Sequence, residues 1–440
     1  MDMSYSYITI SLLAAGLLNI LPTSGPELAG EAECVSKLQT VRFSEHLVAD
    51  NYGYTFGVAA ADLDGDGDLD LTSPDIQKKK QFSTLFWFEN DGKGRFTRRV
   101  IHDHEPGWFE RHVTADINRD GKPDIAIVNN QKGQLVWFAN PGQGVRQNWA
   151  RHVITTQCPY AYDIVLSDFD GDGDLDAASS GWLANEVSWY ENSGKIDATT
   201  EWTRYVIDNQ MPETRTISSS DFNHDGRMDL LATAVGKPVE VPDNENSQVS
   251  GAQVIWYENT RQTPSSLWKK HVIDTSLPGP VHGHPVDLDS DGDQDVVMAH
   301  GMRIEADPEV ARHGVVWYEN LGVKDDEVLW QRHVVGPLPY AFEAVASDLD
   351  GDGDQDVIAT AWSKGDRVVW FENKGSCRDW KMHVIKIGFH AANQVVIADL
   401  NGDQLPDIAA SSDDGSRRVQ GSLELRWWQN EGSAGIQGDE

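Results

Sequence analysis

The 440-residue chain has three cysteines, too few for a disulfide framework. Basic residues are scarce: 36 Lys and Arg stand against 70 Asp and Glu, a formal net charge of −34. Phosphate contact needs patches of Lys and Arg, so nucleic acid and anionic membrane are excluded as expected partners. There is no Asn-x-Ser/Thr sequon, no Gly-x-Ser-x-Gly elbow, no P-loop and no dinucleotide fingerprint. Long apolar runs are missing with one exception, Ile8 to Leu21. It is too short to span a membrane and has the length of a secretory h-region. Residues 1–30 are therefore expected to be a signal peptide, cleaved near Thr23-Ser24-Gly25 or Ala29-Gly30. The mature protein is then secreted, extracellular and soluble. A buried N-terminal helix is the alternative.

Aromatic residues are not lacking. With 16 Trp, 11 Tyr, 13 Phe and 39% apolar residues, the chain can bury a large core, which disordered acidic chains cannot. Its length alone suggests about three domains, but internal repetition overrides that estimate. The segment Asp62-Leu-Asp64-Gly-Asp66-Gly-Asp68-Leu-Asp70 recurs, with variations, from Asp116, Asp168, Asp221, Asp287, Asp348 and Asp399. Successive starts lie 54, 52, 53, 66, 61 and 51 residues apart. Each copy precedes a Trp-aromatic-x-Asn strand, led by Trp87, Trp137, Trp189, Trp256, Trp317, Trp370 and Trp427. Most units then add a Trp-x-x-[His/Tyr]-Val-[Ile/Val] strand, led by Trp149, Trp202, Trp268, Trp330 and Trp380. Four short strands, A to D, repeated seven times predict an all-β, seven-bladed β-propeller over residues 41–430, followed by a tail at 431–440. The seventh unit has no D strand, whereas Arg42–Val48 matches that template. The N-terminus should complete the last blade and fasten the ring. That closure places Cys34 near Cys377 in blade 6, where the two could pair.

The acidic segments follow D-x-[D/N]-x-D-G-x-x-D. Oxygen-bearing side chains recur at positions one, three, five and nine, and Gly at six permits a sharp turn. Position seven varies and is expected to act through its carbonyl. This is the logic of a calcium loop. The expected ligands are Asp62, Asp64, Asp66 and Asp70; Asp116, Asn118, Asp120 and Asp124; Asp168, Asp170, Asp172 and Asp176; Asp221, Asn223, Asp225 and Asp229; Asp287, Asp289, Asp291 and Asp295; Asp348, Asp350, Asp352 and Asp356; and Asp399, Asn401, Asp403 and Asp407. Up to seven structural Ca²⁺ are implied. A solvated acidic turn is the alternative, which mutual repulsion between the Asp side chains disfavours.

Loop, strand order and count resemble the FG-GAP/VCBS repeats of integrin-type seven-bladed propellers. The Trp-Phe/Tyr-Glu-Asn and Trp-x-x-His-Val-Ile elements look more like secreted carbohydrate-active propellers. These include the fungal L-rhamnose-α-1,4-D-glucuronate lyases and the propeller domain of aldos-2-ulose dehydratases. The resemblance implies calcium in the A–B loops on one face and an acidic oligo- or polysaccharide as partner.

Strand alternation places the D–A and B–C connections on the opposite, top face. Residues that the repeat does not explain gather there. They include His112, His282, His284, His300, His390, Trp108, Trp182 and Trp362. Five residues before each loop the blades carry Gly57, Arg111, Asp163, Thr216, His282, Glu343 and Gln394. They are preceded by Phe56, Glu110, Tyr162, Arg215, Val281, Phe342 and Asn393. A ring that differs in every blade suits one asymmetric ligand site. The leading expectation is a polysaccharide lyase acting on a glucuronate-containing glycan by β-elimination. Arg111, Arg215 or Arg303 would neutralise the uronate carboxylate. His112, His282, His284 and Tyr162 are candidates for base and acid. Trp108, Trp182 and Trp362 would stack on sugar rings, with Glu110, Asp163, His300, Glu343, His390 and Asn393 as further contacts. His282 and His284, with His112 or His300, could also hold a catalytic divalent metal. A non-catalytic lectin-like propeller, a sugar dehydratase and a paired-carboxylate glycosidase remain alternatives. The protein is expected to be a monomer.

Overall fold

The computed structural model describes residues 41–433 except 78–79, 143–147, 196–199, 240–247, 262–267, 305–311 and 414–422. These residues belong to one compact unit. They form seven four-stranded antiparallel sheets in a ring, with one short 3₁₀ turn at Asn130–Lys132. Blade 3 shows the plan: A, Ala161–Ser167; B, Asp176–Gly181; C, Glu186–Glu191; D, Thr203–Asp208. Blade 4 inserts a small hairpin, Lys237–Val239 with Gln248–Ser250, into its long B–C connection. In blade 7 the outer strand is Val41–Ala49, paired with Leu425–Ser433, as the N-terminal template predicts. The last strand runs into the expected tail rather than ending at Asn430. The expected signal segment and Cys34 lie outside the described residues. Cys377 is a buried free thiol.

The repeated residues now have physical roles. Every C-strand Trp is buried because it packs between blades. On its face lies the ring of the neighbouring D strand: Trp137 with His152 at 4.2 Å and 15°, Trp256 with His271 at 4.3 Å and 11°, and Trp370 with His383 at 4.5 Å and 20°. The Glu two residues after the Trp then bonds the imidazole, as in Glu319–His333 (2.7 Å) and Glu372–His383 (2.6 Å).

The Asn three residues after the Trp stitches blades together. Its Nδ2 donates to the carbonyl of loop position two in the preceding blade. Examples are Asn140 to Leu63 (2.8 Å), Asn259 to Phe169 (2.7 Å), Asn320 to Phe222 (2.9 Å) and Asn430 to Leu349 (2.8 Å). Asn90 reaches Leu400 at 2.8 Å and so joins blade 1 to blade 7. In blade 6 a thiol stands in the path: Asn373 Nδ2 is 3.2 Å from Cys377 Sγ, which lies 3.5 Å from the Leu288 carbonyl.

Candidate functional site

Two clusters of chemistry lie at opposite ends of the inner strands. At one end are the acidic loops. Position nine is buried in all seven and brackets the turn. One oxygen accepts the N–H of position two at 3.0–3.2 Å, and the other accepts the backbone N–H of the stitching Asn at 2.7–2.8 Å. Position four is left-handed in every loop, including Arg119, His224 and Ser290 at φ near 60°. Loop 7 departs from the Gly rule at position six, where Gln404 takes φ +70°.

The loops divide into two kinds. Loops 1, 3, 5 and 6 each carry five Asp and no cation. Loops 2, 4 and 7 have Asn at position three and net charges of −1, −2 and −3. In the first kind, three carboxylates converge within 4.8 Å: Asp62/Asp64/Asp66, Asp168/Asp170/Asp176, Asp287/Asp289/Asp291 and Asp348/Asp350/Asp356. Buried oxygens on Asp64, Asp287 and Asp289 have no hydrogen-bond partner among the described residues. Burial and like-charged neighbours raise the pKa of Asp64, Asp170, Asp287 and Asp289, and that of Asp350 to about 6. Such groups fit a bound divalent cation. In the second kind, protein groups answer the charge: Lys122 bonds Asp120 (2.6 Å), Arg227 bonds Asp225, and Asn401 Nδ2 bonds Asp403 (2.9 Å).

At the other end, sheet register breaks near the start of the inner strand in blades 2 to 7, for example between Ala161 and Asp163 or Ala341 and Glu343. A bulge there redirects the side chains ahead of it. Arg111 of blade 2 crosses the ring axis to Glu343 of blade 6 with two 2.8 Å hydrogen bonds. Its Nε lies 3.2 Å from Asp163 of blade 3, an ion pair without hydrogen-bond alignment. The Arg111 and Glu343 side chains are 2% and 1% exposed, so the channel is stoppered at this level. Burial alone would raise the Glu343 carboxyl. Arg111, with the hydrogen bond from His284, outweighs it and holds the pKa far below the usual range. Burial also raises the Asp163 pKa, against the pull of Arg111.

His282 of blade 5 sits against this pair. Its Nε2 is 3.1 Å from the Tyr162 hydroxyl and 3.4 Å from Arg111 Nη1. Arg only donates, so this nitrogen accepts, and Tyr162 donates to it. Burial and Arg111 lower the His282 pKa, and burial raises that of Tyr162; the imidazole is neutral and the phenol protonated. Arg215 lies over the rings of Tyr162 (4.3 Å) and Trp182 (4.9 Å). Glu213 bonds Arg215 at 2.7 Å and Arg303 at 2.8 Å. His284 lies one step further along the strand. Its Nε2 bonds Glu343 at 2.6 Å, and its side chain is 35% exposed. Above the stopper, Phe56 is ringed by Tyr54, Tyr162, Phe342 and Trp362 at centroid distances of 5.6–6.3 Å.

Of the residues singled out by the sequence, the axis gathers Arg111, Tyr162, Asp163, Arg215, His282, His284 and Glu343, with Trp182, Trp362 and Asn393 around them. Others lie apart. His112 turns toward the neighbouring blade 1 and bonds Thr72 at 2.7 Å, in space that Gly57 leaves free: a Cβ there would stand 2.8 Å from His112 Nδ1. His300 is buried beside His313, and burial lowers its pKa to about 4. Trp108 is anchored through its backbone to Asn129, and His390 is half-buried at the turn into blade 7. The expected catalytic metal does not find its ligands. Among the described residues, no group of three or more metal-binding side chains includes a histidine. His282 instead faces the Tyr162 phenol and the Arg111 guanidinium, and the guanidinium would repel a cation.

Three residues of the site do not stand out in the sequence: Tyr54, Glu213 and Asp413. None occupies a repeated position. Asp413 accepts the Trp362 indole N–H at 2.9 Å and Asn393 Nδ2 at 3.2 Å.

An FG-GAP-like repeat model matches residues 116–179, 168–232 and 348–410. No curated protein matches the chain. Among solved structures, the V. cholerae biofilm matrix protein Bap1 is similar at 13% identity and a TM-score of 0.38, covering 90% of this chain and 92% of that one. Matched repeats, strand order and ring closure together make this chain a seven-bladed β-propeller carrying FG-GAP-like repeats.

Proposed function

We propose that the protein is a secreted lyase that cleaves a glucuronate-containing glycan by β-elimination at the ring axis, with structural calcium in its acidic loops. The observation that carries the reading is the Tyr162–His282 hydrogen bond between two guanidinium groups. Tyr162 is the phenol that would pass its proton to the neutral His282, and Arg215 over its ring and Arg111 beside it oppose the burial that raises its pKa. Elimination needs a base for the C5 proton. The electron pair of that C–H bond forms the C4–C5 double bond, the C4–O bond breaks, and the leaving oxygen takes a proton. Tyr162 and His282 are the pair for that proton transfer. His284, held by Glu343, is the half-exposed imidazole of the same cluster. Arg215 and Arg303 are the cations nearest the aromatic face. The substrate carboxylate would take the place of Glu213 on them.

A specific observation favours a second reading, a non-catalytic carbohydrate-binding propeller. Arg111 and Arg215 already carry protein carboxylates, and Tyr162 and His282 are buried. One experiment separates the two. The full chain is incubated with glucuronate-rich glycans, gum arabic among them, while the ultraviolet absorbance of an unsaturated uronate is followed. Tyr162→Phe should lower that rate by about 10²–10⁴-fold with the fold intact. Binding without absorbance or new reducing ends selects the second reading.

A further inference from the structure

Glu213 is an acid standing where the fold needs none. It opens the turn into the inner strand of blade 4 (Thr214–Ser220), at φ +56°. Its carbonyl accepts the Val235 N–H at 3.2 Å, and its own N–H donates to Asn185 Oδ1 at 2.9 Å. The corresponding turns of blades 3, 6 and 7 make the same carbonyl bond with Tyr160, Tyr340 and Ala391, also left-handed. The turn recurs as backbone and not as residue type, so it does not call for a carboxylate. The Glu213 side chain lies between two guanidinium groups. Arg215 Nη2 donates to Oε1 at 2.7 Å, Arg303 Nε donates to Oε2 at 2.9 Å, and Arg303 Nη2 lies 2.8 Å from Oε1. Arg303 reaches across from blade 5 because Gly279 lets the B–C connection come close: a Cβ on Gly279 would stand 2.2 Å from the Met302 carbonyl oxygen. Arg303 is itself left-handed, at φ +67°. Two non-glycine residues in this conformation thus meet side chain to side chain, and such strain gathers at clamps and switches. Arg215 is buried, and its Nε has no hydrogen-bond partner among the described residues. The Arg303 side chain is 39% exposed, so the outer half of the contact is open to solvent.

We propose that Glu213 is a built-in competitor for the carboxylate position, which an anionic ligand enters only by displacing it. The inference concerns regulation of the site proposed above and rests on that reading. Exchange of one carboxylate for another leaves the guanidinium charge compensated before and after. A neutral sugar that displaced Glu213 would strand Arg215, which lies buried over the Tyr162 and Trp182 rings, and is therefore refused. Selectivity for an acid thus comes from the group that the ligand replaces. Affinity is lowered accordingly, because a ligand that must expel an occupant binds only the fraction of molecules that have released it. The Nε of Arg215 offers an incoming carboxylate one contact that Glu213 does not make. In this role Glu213 is a specificity-determining residue, and Arg303 is the outer arm of a latch that closes it over Arg215.

The test uses the full chain, with methyl β-D-glucuronoside as the acidic probe and methyl β-D-glucoside as the neutral one. Neither carries a sugar at C4, so calorimetry and tryptophan fluorescence read binding without elimination. Glu213→Gln keeps the shape of the side chain and removes the competing charge. It should bind the glucuronoside about tenfold or more tightly than the native chain, with no gain for the glucoside. Glu213→Asp, one methylene shorter, reaches the two guanidinium groups less well and should tighten binding by a smaller factor. At equal concentration the glucuronoside should also raise the melting temperature of Glu213→Gln more than that of the native chain. That readout decides the matter if the variant is unstable without the probe. Unchanged or weaker glucuronoside binding by both variants would overturn the proposal and leave Glu213 as a group that merely positions Arg215. No binding of the glucuronoside by the native chain or either variant would overturn it together with the carboxylate position itself. Tighter binding by Glu213→Gln, with no ultraviolet absorbance developing from any glycan, would uphold the proposal and remove the lyase reading.

Discussion

The two ends of each inner strand differ in what they repeat. At the acidic-loop end, seven blades use the same bracket: a buried Asp holding two backbone N–H groups. At the other end no two blades present the same residue, and the side chains meet each other across the ring. The repeated end solves a problem that every blade has, turning from strand A to strand B and joining its neighbour. The unlike end solves a problem the molecule has once, filling and equipping its axis. Even the repeated end is not uniform, because four loops carry five Asp and no cation of their own, although Arg119 and His224 of neighbouring loops reach Asp174 and Asp293, and three answer their charge from within.

The strongest way to break this contrast is removal of metal. If the four five-Asp loops each hold an ion present at a hundredfold its Kd, each contributes roughly 3 kcal/mol to apparent stability. A chelator should therefore produce the largest loss of thermal stability, and elemental analysis should find four calcium ions per chain. Seven would erase the distinction between the loops. Next in size is the axis. Arg111→Met alone or Glu343→Leu alone strands a buried charge and should cost about 3–5 kcal/mol, while the double variant should recover most of it. Denaturant midpoints of the three variants would show this. Equal losses in the double variant would mean that Arg111 acts chiefly through other partners.

A smaller effect comes from buried imidazoles. Burial lowers the pKa of His112 and His300 from 6.5 to about 4. The unfolded chain binds these protons first. Stability is therefore complete above pH 6.5 and falls as the pH drops from there toward 4, by up to about 3 kcal/mol for each group. Melting curves of His112→Gln should be flatter across that range than those of the native chain. The smallest expected effect is Asn118→Ala in loop 2, within about 0.5 kcal/mol, against the loss of one calcium ion for Asp64→Ala in loop 1. Similar losses in both would show that the two kinds of loop do the same work.

What repeats is legible in the order of residues alone. Strand order, ring closure by Val41–Ala49 and the loop carboxylates each rest on a motif present in many copies, so spacing exposes them. The stitching Asn is visible as a pattern but not as a cause, because its partner carbonyl sits in a neighbouring blade. The axis is only partly legible. Its unusual residues stand out against the template, yet the bulges that redirect them leave no mark in residue type. Nothing in the sequence pairs Arg111 with Glu343, 232 positions away. His112 looks like its neighbours on the ring but is a packing residue fitted to Gly57. Asp413 stands out from nothing along the chain, and only its contacts with Trp362 and Asn393 reveal it.

The strand that closes the ring has a consequence for synthesis. Val41–Ala49 leaves the ribosome before every other blade strand and pairs with Leu425–Ser433, which leaves after them. At roughly 5–20 residues per second, the early strand waits on the order of twenty to eighty seconds for its partner. Six blades can form in order while it hangs unpaired, and the seventh cannot. The completed ring is thus a report that all seven blades have been made: a product truncated before Leu425 keeps both edges open.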